Sequence, residues 1–182
     1  VEPSSNPLKS LTSKIDFMAL VPLQLHDILR DDNTKKKLAE ANTVIVGGGA
    51  VKQSLLFEIQ KLPSKIYSTY GMTETVSHIG LRKLNDPNKS DYYHILNGVK
   101  INTDNRNCLV INAECTDYKD VVTNDLVEIR DESTFKWLGR IDNVINTGGI
   151  KINSEELEDS ISRIFNELKI ENNFFITSLP DD

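Results

Sequence analysis

The chain has 182 residues, a formal net charge of -6 and 38% apolar residues, enough for one medium domain with a real core. The acidic balance argues against a nucleic-acid backbone as partner, because that binding needs clustered Lys and Arg. The longest apolar runs, such as Phe17 to Val21, are far too short to cross a bilayer. Val1-Glu2-Pro3-Ser4-Ser5 carries no basic region ahead of an apolar stretch, so it reads as no secretory signal, and the missing initiator Met reads as a fragment or a processed chain. Cys108 and Cys115 fit no zinc pair, and His26, His78 and His94 lack metal-ligand spacing. Two free thiols in a reducing cytoplasm are the expectation.

In chain order, Ile15 to Val21 reads as a strand and Pro22 to Arg30 as a helix, with Pro in the first turn where its missing N–H costs little. Lys35-Lys36-Lys37, after Asp31 and Asp32, reads as a solvated helix face. Thr43 to Val46 is a short β-branched strand running into Gly47-Gly48-Gly49. Val51 to Leu62 reads as a helix that buries Leu55, Leu56, Ile59 and Leu62 on one face, and Lys65 to Thr69 as the next strand. Strand, glycine turn, helix, strand is the order of an α/β layer.

The middle third changes character. Ser77 to Arg82, Gly98 to Thr103, Cys108 to Asn112, Leu126 to Arg130 and Thr134 to Leu138 are short strands punctuated by Asn, Asp and Gly, as in a small, mostly antiparallel sheet. From Gly139 to Glu158 an Arg-x-Asp turn is followed by a Gly-Gly loop and a helix start. Charged groups on rotatable backbone suit a pivot between domains better than a core strand. Asn153 or Ser154 can cap the helix, and Glu155 and Glu156 suit its positive end. Leu157, Ile161, Ile164, Phe165 and Leu168 form one apolar stripe, and Asn173 to Thr177 reads as a strand.

The chemistry-bearing residues cluster in four places. Gly47-Gly48-Gly49-Ala50, between a strand and a helix, is either a tight turn or bare backbone for a flat ligand or a phosphate. It has neither dinucleotide-fingerprint spacing nor a following Lys-Ser/Thr. Tyr70-Gly71-Met72-Thr73-Glu74-Thr75 ends the next strand, so in an open sheet both turns face the same edge. There Tyr70 can stack on a purine, Gly71 permits close backbone approach, Thr73 offers a hydroxyl to phosphate and Glu74 a carboxylate to Mg²⁺. Asp125 can accept ribose hydroxyls or simply close a turn. Arg140 can pair with ribose or phosphate, or form a surface ion pair.

Taken together, the glycine turn, Tyr70-Gly71-Met72-Thr73-Glu74, Thr123-Asn124-Asp125 and Gly139-Arg140-Ile141-Asp142-Asn143-Val144-Ile145-Asn146-Thr147-Gly148-Gly149 resemble the adenylate-forming acyl-CoA synthetase family, in the family's order and over nearly the whole chain. The resemblance implies a mixed α/β fold. Residues 1-138 would be the back part of the large N-terminal domain, an α/β layer plus a small antiparallel β subdomain. Residues 139-142 would be a hinge, and 143-182 the start of a small α+β C-terminal domain.

The resemblance also implies ATP, Mg²⁺ and CoA. It places adenine against Gly48, Gly49, Ala50 and Tyr70, with Gly71 and Met72 beside it. It places the α-phosphate at Thr73, Mg²⁺ at Glu74, ribose at Asp125 and the nucleotide at Arg140. Asp142 would be the hinge residue, and Gly149 would line the path of the CoA arm. The finer resemblance is to short o-succinylbenzoate–CoA ligases of menaquinone synthesis, in which Ser77 or His78 would face a small-molecule carboxylic acid. Related aryl- or fatty-acyl-CoA ligases, peptide-synthetase adenylation domains and a catalytically silent nucleotide-binding module are the alternatives.

Three departures follow from the same comparison. The Ser/Thr/Gly-rich phosphate loop and the C-terminal catalytic Lys are absent from these 182 residues, so the chain by itself is expected to adenylate poorly. Asn124 stands where the family has Gly. Unpaired strand edges would favour self-association into a homo-oligomer.

Overall fold

Parallel strands need crossover helices, and the first part of the chain supplies both. The computed structural model describes residues 4–88, 90–147, 149–168, 170 and 174–177. It divides into two units, Val1–Met72 with Ser77–Asp91, and Thr73–Val76 with Tyr92–Asp182.

In the first unit, β1 (Phe17–Leu20), β2 (Thr43–Val46) and β3 (Lys65–Gly71) run parallel, and β4 (His78–Lys83) pairs with β3 antiparallel. Three helices connect them: α1 (Pro22–Leu29), α2 (Asp32–Glu40) and α3 (Gln53–Ile59). Val44 and Val46 are fully buried while Thr43 and Ile45 are half-buried, the alternation of a strand with one face on the core. Leu25 and Ile28 of α1, Leu38 of α2 and Ile59 of α3 close on Val44, Val46 and Ile66 in one apolar cluster. Each fully buried aliphatic side chain there contributes about 1.5–3 kcal/mol relative to exposure.

Asp31 caps α2 by accepting from Asn33 N and Thr34 N at 3.0 and 3.1 Å. The basic run lies on this helix. Lys35 pairs with Glu58 at 2.9 Å, and Lys37 reaches back to the carbonyls of Leu8 and Leu11. The α3 helix is shorter than the sequence suggests. It leaves Leu62 outside, yet Leu55 and Ile59 are buried as the spacing predicts.

The second unit is antiparallel. β6 (Lys100–Thr103), β7 (Cys108–Asn112), β8 (Val121–Asp131), β9 (Thr134–Arg140) and β5 (Tyr92–Ile95) pair in that order. Leu109, Ile111 and Phe135 are fully buried, and Phe135 stacks on Tyr93 at 5.4 Å. β5 is not anticipated from the sequence, because its four residues include His94 and lack an apolar alternation. A hairpin, β10 (Val144–Thr147) and β11 (Ile150–Asn153), follows β9 where the sequence suggests only a loop. Its turn places Gly149 at φ +82°, a conformation few other residues tolerate.

The final helix α4 (Ser154–Glu167) matches the sequence reading. The expected strand over Asn173 to Thr177 is not there: Phe174 to Thr177 has no regular structure, and Asn173 lies outside the described residues. Phe174 instead packs edge-on against Phe165 at 5.1 Å, an aromatic contact with α4 rather than a ladder. Both cysteines are free, Cys108 buried and Cys115 exposed.

Candidate functional site

In the first unit, the register aligns Leu20 with Val46 and Val46 with Ser68, so β1, β2 and β3 end at one edge. Gly47-Gly48-Gly49 leaves β2 there. A Cβ on Gly47 would sit 2.4 Å from Thr69 Oγ1, and Gly48 takes φ +80°; a side chain at the first position would displace the Thr69 hydroxyl and one at the second would be strained. Gly48, Gly49 and Ala50 are exposed, and Tyr70 and Met72 are half-buried at the end of the neighbouring strand. Both predicted turns therefore share the carboxyl edge of a parallel sheet, where open α/β folds bind ligands.

Gly71 has a more specific duty than the sequence suggests. A Cβ there would meet Ser77 O at 2.5 Å and His78 Cα at 2.6 Å. The backbone that needs the space is the chain's own β4, entering through a register shift between Tyr70 and Gly71. This brings Ser77 and His78 beside the end of β3, with Ser77 Oγ and His78 Nδ1 at 3.2 Å.

The second unit holds the remaining residues. Thr73 and Glu74 lie exposed on a 3-10 turn, Thr73–Thr75, and Val76 closes it with its N–H on Thr73 O at 3.0 Å and φ at 62°. Asp125 and Arg140 face each other across the β8–β9 ladder. Asp125 is only 8% exposed; its Oδ1 accepts from Trp137 Nε1 at 3.1 Å and lies 4.0 Å from Arg140 Nη1. Arg140 Nη2 reaches Asp142 Oδ2 at 2.6 Å. The Arg140 guanidinium beside it, with the Asn124 amide, holds the Asp142 carboxyl below the usual carboxylate range against the opposing effect of desolvation.

Asn124 Nδ2 donates to both Asp142 oxygens, at 3.2 and 3.3 Å. Its Oδ1 accepts from Arg106 Nη1 at 3.1 Å, while Arg106 Nη2 donates to Thr123 O at 3.1 Å and Nε to Asp104 Oδ2 at 2.8 Å. Beyond the Asp142 turn, Asn153 Oδ1 caps α4 by accepting from Glu155 N and Glu156 N, at 3.0 and 3.2 Å. Its Nδ2 donates to Leu138 O at 2.8 Å. Gly139 at φ +133° makes room for this contact, since a Cβ would lie 2.6 Å from Asn153 Nδ2. Gly149 is exposed.

The sequence reading missed Trp137, Arg106 and Asn153's second bond. Trp137 lies twelve residues from Asp125, and only the strand register brings the two together. No group of three or more His, Cys, Asp or Glu suited to a metal ion occurs among the described residues. A single Glu74 carboxylate still fits Mg²⁺ that keeps its waters and takes its other ligands from phosphate oxygens.

Comparison with known proteins accords with this layout. Residues 5–110 match the family model described as AMP-binding enzyme. Over 91 residues, 46% of this chain and 16% of the other, the sequence is 34% identical to the 2-succinylbenzoate--CoA ligase, chloroplastic/peroxisomal, of Arabidopsis thaliana. A crystal structure of an acyl-CoA synthetase (AMP-forming)/AMP-acid ligase II-like protein from Dyadobacter fermentans superposes over 100% of this chain and 52% of its own length, with TM-score 0.74 and 42% identity. The o-succinylbenzoate coenzyme A synthetase of Bacillus subtilis, in complex with ATP and magnesium ion, shares the fold at TM-score 0.66 and 18% identity, over 81% of this chain and 36% of the other. The chain thus spans about half the length of the Dyadobacter relative and less of the others. By the family match over more than half its residues and the motifs laid along its strand ends, the chain belongs to the AMP-binding enzyme family.

Proposed function

We propose that this chain is the nucleotide-holding part of an AMP-forming acid–CoA ligase. The acid carboxylate attacks the α-phosphorus of ATP, forming the acyl-adenylate and releasing pyrophosphate. The CoA thiol then attacks the acyl carbon, forming the thioester and releasing AMP. The observation that carries this reading is the shared strand edge. Gly48 to Ala50 and Tyr70 to Met72 leave adjacent parallel strands at one edge, which supports a purine held between bare backbone and the Tyr70 ring.

Each further residue has one task. Thr73 donates its hydroxyl to the α-phosphate, and Glu74 takes the Mg²⁺ that offsets phosphate charge. Asp125, fixed by the Trp137 indole, accepts from the ribose hydroxyls. Arg140 supplies positive charge to the nucleotide. Phosphoryl chemistry of this kind gains most of its rate from positioning and electrostatic stabilisation, so these placements are the catalyst's main contribution. Asp142 serves as pivot for residues 143-182, and Gly149 lines the CoA approach.

The acid is o-succinylbenzoate, which places the enzyme in menaquinone synthesis. Ser77 and His78, brought to the end of β3 by the Gly71 contact, face its ring or succinyl carboxylate. Among the described residues no helix is long and apolar enough to cross a membrane, and a cytoplasmic location is part of the same reading.

Acid-dependent ATP–pyrophosphate exchange tests the proposal, using the protein at its full gene length with o-succinylbenzoate, benzoate and a fatty acid in parallel. Exchange with o-succinylbenzoate alone is expected. Exchange with another acid would retain the reaction and replace the substrate. Nucleotide binding without exchange for any acid would replace the enzyme by a silent binding module.

A further inference from the structure

The position between Thr123 and Asp125 carries a side chain that does more than occupy a strand. We propose that Arg106 and Asn124 are positioning residues that latch the Asp142 carboxylate, and with it the turn at residues 140-143, in the conformation seen here. The inference rests on the reading of Asp142 as the pivot between the ligase's two half-reactions.

The argument is geometric. A primary amide has an accepting end and a donating end, and only the donating end suits a carboxylate. Arg106 fixes which end faces Asp142. Its Nη1 takes Asn124 Oδ1 at 3.1 Å, leaving Nδ2 to span both Asp142 oxygens at 3.2 and 3.3 Å.

Arg106 is itself anchored at three points. Nε meets Asp104 Oδ2 at 2.8 Å, Nη2 meets Thr123 O at 3.1 Å, and its backbone N–H meets Asp104 Oδ1 at 2.8 Å. Asp104 is further held by Cys108 N at 2.9 Å. The latch therefore runs from the β6–β7 turn across β8 to the turn that follows β9. Arg140 Nη2 also meets the Asp142 carboxylate, at Oδ2, at 2.6 Å. Guanidinium forks suit such multipoint anchoring, and the single ammonium of a Lys could not span Asp104, Thr123 and Asn124 in the same directions. A Gly at position 124 has no atoms with which to reach Asp142, so the latch depends on this residue type.

Loss of the latch leaves the strands intact and frees the turn. In amide hydrogen exchange on the 182-residue chain, Asn124→Ala and Arg106→Met are each expected to speed exchange at residues 141-147 by at least about threefold, the scale of an exposed charged contact. Exchange in β7, β8 and β9 should stay unchanged. Arg106→Met keeps the aliphatic stem and the strand residue, so it remains informative if Asn124→Ala folds poorly.

In the full-length enzyme the same substitutions should shift the ratio of pyrophosphate exchange to CoA-thioester formation by at least about threefold, because a latch favours one conformation over the other. Unchanged exchange at 141-147, or a rise spread evenly over β7 to β9, overturns the proposal. A local rise with an unchanged ratio of half-reactions also overturns the positioning role. If the unmodified enzyme turns over no acid, the ligase reading fails, and the exchange experiment alone decides whether the latch exists.

Discussion

Val76 holds a backbone conformation that its own side chain opposes. At φ 62°, a β-branched residue crowds its carbonyl, at a cost of about 1–2 kcal/mol. The strain lies between the exposed Thr73–Thr75 turn and the start of β4. Asn tolerates this region better, and Val76 is 81% exposed, so little packing is at stake. Val76→Asn should raise stability by about 1 kcal/mol in a urea titration.

At Asp125 charge and structure can be separated. Asp125→Asn keeps an oxygen for Trp137 Nε1, so the urea midpoint should hold. On the proposed ribose-holding role, KM for ATP of the full-length protein should rise by about tenfold or more as the charged acceptor is lost. Asp125 and Arg140 stand out in the sequence because both sit in ordered motifs, but their facing each other across β8 and β9 comes only from the register. Trp137 and Arg106 do not stand out, because their importance comes from cross-strand register and a turn, neither of which leaves a spacing signal.

Gly139 decides how the last elements meet. It combines φ +133° with a gap too small for a Cβ, 2.6 Å from Asn153 Nδ2 and 3.0 Å from Glu155 Oε2. Gly139→Ala should therefore cost more than about 2 kcal/mol by urea titration, and amide exchange should quicken first in β9 and the opening turn of α4. Elements with strong local patterns were readable in advance. The β-branched run at Thr43 to Val46 is a strand to the residue, and the apolar stripe of α4 is a helix. The short strands β5, β10 and β11 were not readable, since four residues containing His, Asn or Lys acquire strand character only from their ladder partners.

The whole chain is acidic, and several of its carboxylates are bound more tightly than the net charge implies. Asp27 is held low by the His26 side chain, Asp31 by the Thr34 N–H and Asp142 by Arg140. At Asp104 burial opposes ionisation, and the bonds from Cys108 and Arg106 overcome it. In every case the folded value lies below the unfolded one. The stability they contribute is fully present above the ordinary carboxylate value and is lost as pH falls through the lowered folded values. The urea midpoint should stay level down to the ordinary carboxylate range and drop below it. Asp31→Asn should soften that drop, because Asn caps α2 at any pH. The fold class was visible from the order of motifs and strands; the division at Asp91/Tyr92 was not, because the change of character begins at Ser77 while β4 still pairs with β3 in the first unit.

Asn153 joins two neighbours with two different atoms, and they separate unequally. Its oxygen belongs to α4 and its nitrogen to Leu138, which precedes the Asp142 turn. Swinging the helix away from β9 would carry the cap along intact. Asn153 would give up one neutral bond of roughly 1 kcal/mol. At this residue, separation would break one bond and spare the helix end, and the bond from Asn143 Nδ2 to Glu155 Oε1 at 2.6 Å would have to yield as well.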